Sequence, residues 1–135
     1  MERTIAVVSD VKTLGELLNG AGVEQTRLVP SGGTLYLDME LIRACPELKT
    51  EVRRGLMTKT NIPWVKSRLR LNRIQDATVQ RLTDGAPDQS PLLVCDAVPG
   101  GYTLVVTSPD GLRLSLKLET LDGQFADVGQ PTNAP

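Results

Sequence analysis

Asp38 and Glu40 stand two residues apart in an alternating stretch, which puts both carboxylates on one face of a strand at roughly 6–7 Å. That separation suits an acid and a base working together, or two ligands of a hard cation. It equally suits any solvent-facing strand, and no third acid or activated nucleophile accompanies the pair. Asp10 follows the apolar run Thr4-Ile5-Ala6-Val7-Val8, where many α/β enzymes hold a functional acid, but there it serves equally as a helix cap. A carboxylate-dependent enzyme using Asp10, Asp38 and Glu40 is thus the weakest of three functional readings.

The chain contains no histidine. That removes the commonest general base at neutral pH, the Ser-His and Cys-His nucleophile pairs, and the usual zinc ligand. Cys45 and Cys95 lie far apart without further ligands nearby, so both are expected to be reduced, semi-buried structural residues. Ser9-Asp10 lacks the glycines of a dinucleotide site. No cofactor, no metal and no catalysis are expected.

Charge is the stronger signal. The formal net charge is only −1, yet residues 41–81 carry ten basic and three acidic side chains, whereas the segments before and after are acidic, at −3 and −5. The candidate surface comprises Lys49, Arg53, Arg54, Lys66, Arg68, Arg70 and Arg73, with Trp64 as a candidate interface anchor. If the Tyr36–Glu40 strand pairs antiparallel with the Trp64–Leu71 strand, Asp38 and Glu40 neutralise Lys66, Arg68 or Arg70 across the ladder. The aromatics number only four, Tyr36, Trp64, Tyr102 and Phe125, too few for a base-stacking platform.

These side chains need elements to place them. A chain of 135 residues, 40% hydrophobic and 23% charged, is the size of one domain. The clearest strand is Leu112-Leu114-Leu116-Leu118, alternating with Arg113, Ser115, Lys117 and Glu119. The turns Ser108-Pro109-Asp110-Gly111 and Pro99-Gly100-Gly101 join it to Tyr102–Val106 and Leu92–Val98 as a three-stranded meander. Leu35, Leu37, Met39 and Leu41 form a second amphipathic strand after the turn Pro30–Gly33. Further strands are expected at 4–8, 26–29, 64–71 and 77–82.

Two helices are expected. One follows Ser9 or Asp10 as its N-cap, on a stripe of Val11, Leu14, Leu17, Leu18 and Ala21, with Gly20 or Gly22 to close it; strand, helix and strand there hint at a βαβ unit. The other runs from Pro46 to about Lys59, on Leu48, Val52 and Leu56. Its acids fall early and its bases late, as the helix dipole favours.

The expected architecture is a single α+β domain over 1–127, a mainly antiparallel sheet with two short helices on one face. Residues 83–91 read as a loop and 128–135 as a disordered tail. No apolar run reaches membrane-spanning length and no secretory signal opens the chain, so a cytoplasmic address and no membrane contact are expected. The leading function is a small non-catalytic interaction module, presenting a sheet edge or the basic central surface to a protein or to a second copy of itself. Nucleic-acid binding through 49–73 is the alternative.

Overall fold

One strand of 18 residues, Trp64–Arg81, carries the sheet. In chain order the elements are β1 (Glu2–Ile5), α1 (Val8–Leu17), β2 (Gly22–Ser31), β3 (Thr34–Ala44), a 3-10 turn (Pro46–Leu48), β4 (Thr50–Arg54) and β5 (Met57–Asn61). They continue as β6 (Trp64–Arg81), β7 (Leu92–Val98), β8 (Gly101–Thr107), β9 (Leu112–Leu118) and β10 (Gly123–Asp127). The computed structural model describes residues 1–81, 91–109 and 111–132.

The first half of β6 pairs with β3 on one side and β10 on the other, with β2 beyond β3 and β1 beyond β10. Its second half pairs with β9, and β8 and β7 follow as the expected meander. All of these pairings are antiparallel. Inward side chains change parity midway: Val65, Leu69 and Leu71 are buried, then Ile74. Arg73 takes a positive φ of 57°, and the register slips against both β3 and β9 nearby. A bulge of this kind reverses which residues face inward and tightens the curl. It also explains why alternation reads clearly up to Leu71 and dissolves afterwards.

The α+β architecture with two helices is overturned: the fold is mostly antiparallel β, a curled half-barrel with, among the described residues, one helix of seven residues or more. α1 lies against β7 and β1, with Val11 and Leu14 buried and Leu18 and Ala21 buried just beyond its end. It starts at Val8 rather than after Ser9-Asp10. Asp10 sits in its first turn and accepts hydrogen bonds from the amides of Ala6 (2.9 Å) and Val7 (3.1 Å), which hold its carboxyl below the usual range. Among the described residues there is no βαβ unit, since β1 pairs only with β10 and β2 only with β3.

The expected helix from Pro46 to Lys59 is a 3-10 turn followed by the β4–β5 hairpin. Leu48, Val52 and Leu56 do fall at helical spacing. Thr50, Val52, Thr58 and Thr60, however, are β-branched and favour extended backbone, and Gly55 would weaken a helix interior by about 1 kcal/mol. Gly55 instead opens a two-residue hairpin turn, where its φ of 62° is what the turn requires.

Among the described residues no helix is long and apolar enough to cross a membrane. Beyond β10, Val128 donates to the Lys66 carbonyl, and Thr132 and Trp64 exchange backbone hydrogen bonds. Residues 133–135 of the expected tail, 83–90 of the expected loop and Leu82 of the expected 77–82 strand lie outside the described residues, as does Asp110 of the turn before β9.

Gly123 marks the tightest crossing of β1, β10 and β6. A Cβ there would stand 2.6 Å from Leu71 Cδ2 and 2.8 Å from the Arg70 carbonyl oxygen. Because a backbone carbonyl cannot step aside, Gly123→Ala is expected to destabilise the fold by about 1–3 kcal/mol. Urea denaturation measures it.

Candidate interaction surface

β3 and β6 stay paired to Ala44 and Trp64, and the chain between them leaves the sheet as a two-stranded ribbon. The base is closed by Cys45, whose amide donates to the Pro63 carbonyl at 2.8 Å. Beyond it, β4 and β5 contact each other and, among the described residues, no other element. Every residue from Lys49 to Thr60 is exposed. At the tip Leu56 is fully exposed and Met57 is 77% exposed, while Leu48, Val52 and Ile62 add apolar surface towards the base.

Register sets what the ribbon displays. Val52 stands opposite Lys59 and Arg54 opposite Met57, so one face is a checkerboard of two apolar and two basic side chains. A groove of about 490 Å³ runs along it. Arg53 stands on the other face, opposite Thr58. Among the described residues Arg53, Arg54 and Lys59 make no ion pair, whereas Lys49 lies 3.7 Å from Glu51.

The rest of the basic segment is spent within the fold. As the antiparallel reading expects, Asp38 pairs in register with Arg70 and Glu40 with Arg68. Arg68 reaches Glu40 at 3.1 Å and Asp38 at 3.3 Å, the latter without hydrogen-bond alignment. Arg27 holds the other oxygen of Asp38 at 2.8 Å. Arg70 stacks over the Tyr36 ring at 4.1 Å and bonds Asn72, Arg73 faces Asp122 at 3.5 Å, and Lys66 lies 3.9 Å from Glu24. Trp64 is half-buried at the foot of the ribbon. The candidate residues therefore divide: Lys49, Arg53 and Arg54 stand on the ribbon, with Lys59 beside them, while Lys66, Arg68, Arg70 and Arg73 lie along β6.

Asp10, Asp38 and Glu40 do not converge. The first belongs to α1 and the other two are engaged by Arg27 and Arg68. Among the described residues no group of three or more Cys, Asp or Glu is placed to hold a metal ion. Cys45 and Cys95 are free thiols, each pushed up in pKa by burial.

A polar cluster beneath the ribbon escapes the sequence reading. Arg43, 1% exposed, donates from Nε to Asp127 Oδ1 (3.0 Å) and from Nη2 to Asp127 Oδ2 (2.8 Å) and Glu47 (2.9 Å). Ser67 Oγ donates to Asp127 Oδ1 at 2.8 Å. Burial pushes the Asp127 carboxyl up, but the bonds from Arg43 and Ser67 outweigh it and hold it below the usual range. Arg43 likewise holds Glu47 down, and Asp127 raises Arg43 further. Since Glu47 lies in the 3-10 turn, the cluster ties the foot of the ribbon to β3, β6 and β10. The signal was there: Arg43 continues the parity of Leu37, Met39 and Leu41, an arginine on a leucine face.

Comparison with family models, with curated proteins and with solved structures finds no match to this chain.

Proposed function

We propose that this protein is a small non-catalytic interaction module whose β4–β5 ribbon docks onto another protein. The observation that supports this most is the ribbon itself. An isolated two-stranded hairpin is marginally stable in water, and this one holds Leu56 and Met57 in solvent, away from the core. Apolar area flanked by unpaired Arg54 and Lys59 fits a partner offering apolar side chains bordered by carboxylates. Two free thiols suit the reducing cytosol as its setting.

A photo-crosslinking residue at Leu56, compared with one at exposed Val79 on β6, tests the reading in an extract of the cells that make the protein. One defined adduct from position 56, absent at 79 and suppressed by excess unlabelled chain, is the expected result. Equal adducts at both positions, or none, would discard it. A second copy as the partner is recognised by an adduct of twice the chain's mass.

One observation favours a second reading. A two-stranded ribbon fits the DNA major groove, and Arg53, Arg54 and Lys59 are available for phosphates. Retention on heparin or duplex DNA at low salt, lost when all three become Gln, is its expected signature. No retention at low salt ends it.

A further inference from the structure

A second surface lies on the opposite group of strands. Among the described residues β7 pairs with β8 alone, so the hydrogen-bonding groups along its outer side are left for another strand. The other edges of the large sheet are guarded: β1 has only four residues, and β2 carries Pro30, Arg27 and a bulge near Glu24. β7 runs Leu92-Leu93-Val94-Cys95-Asp96-Ala97-Val98, with Leu92 59% exposed, Val94 45% exposed and one charge.

Helix α1 stands beside this edge. Between them is a groove of about 640 Å³, walled by Val11, Gly15 and Glu16 on the helix and by Leu93, Val94 and Cys95 on the strand. Gly15 supports the groove independently. A glycine in a helix interior costs about 1 kcal/mol against alanine, yet a Cβ at Gly15 would meet nothing within 4 Å. Neither packing nor backbone geometry requires glycine there. What its missing side chain does is keep the wall of the groove back.

We infer that the α1–β7 groove binds an extended peptide segment of another protein by strand addition, its backbone bonding to the free edge of β7. The chemistry of the strand specifies the peptide. Side chains facing inward meet Leu93, Cys95 and Val11, and those facing outward lie beside Leu92 and Val94, so the segment is apolar over its middle. Opposite Asp96 a lysine or arginine pairs best. Main-chain bonds supply affinity and the apolar pockets supply selectivity. The groove is separate from the ribbon and does not depend on its role.

The test selects a phage-displayed library of short linear peptides on the full chain, with counter-selection on Gly15→Leu. Leucine at this position fills the groove and raises helix propensity, so the variant should melt no lower than wild type. Peptides made from the enriched sequences are expected to be apolar with one basic residue and to lose binding about tenfold or more on Gly15→Leu. They should also lose it when alternate backbone amides are N-methylated, and keep it on a chain carrying Leu56→Asp and Met57→Asp. Enrichment that does not distinguish wild type from Gly15→Leu overturns the proposal. So do peptides indifferent to N-methylation at every amide, or a dimer whose β7 amides are already protected from hydrogen exchange without peptide.

Discussion

Asp127→Ala is expected to lower the stability of the fold by about 3–5 kcal/mol, a large part of the total that holds a small domain. The substitution strands the Arg43 guanidinium, 1% exposed, with Glu47 as its remaining carboxylate and with Ser67 deprived of its acceptor. The cost comes from leaving a buried charge uncompensated, which is larger than the net value of the pair itself. Arg43→Met together with Asp127→Ala should therefore destabilise far less than the two single changes added, and urea denaturation of all four chains measures that coupling.

The same cluster sets the response to acid. Asp127 and Glu47 both titrate below the ordinary carboxylate range when folded. Their contribution is complete above the unfolded value near pH 4 and is lost as pH falls through the folded value. The urea midpoint should drop on acidification below about pH 4, and drop less steeply in Asp127→Asn. An identical slope in that variant would remove the cluster from the account.

Leu56→Asp combined with Met57→Asp is expected to weaken partner binding by about 100-fold, roughly 3 kcal/mol, because buried apolar anchors dominate interfaces. The fold should not notice. Both side chains already stand in water, so the melting temperature should stay within a degree or two of wild type. Reversing Arg54 and Lys59 should act differently, slowing association and flattening its salt dependence more than it speeds dissociation. Full affinity in the double-Asp chain would mean that the ribbon tip is not the contact.

How much of this was legible follows from the period of each segment. Leu112 to Leu118 and Leu35 to Leu41 alternate strictly, and both are strands facing one interior. The pairing of Asp38 and Glu40 with Arg70 and Arg68 was legible too, because opposite charges at matched spacing on neighbouring strands identify their register. The ribbon was not, since Leu48, Val52 and Leu56 imitate a helical stripe while Gly55 and four β-branched residues say otherwise. Arg43 and Asp127 lie 84 residues apart, and only the sheet brings β3 and β10 to the two sides of β6. The continuity of β6 was hidden by the bulge at Arg73, which splits one strand into two patterns.

That continuity governs how the chain can be made. The first half of β6 needs β10 and the second half needs β9, both encoded after it, so neither half of the half-barrel is complete until those strands have been made. β2, β3 and the first half of β6 can pair as they emerge, but their leucine faces stay uncovered, exposed to aggregation and to chaperones, until β9 and β10 follow.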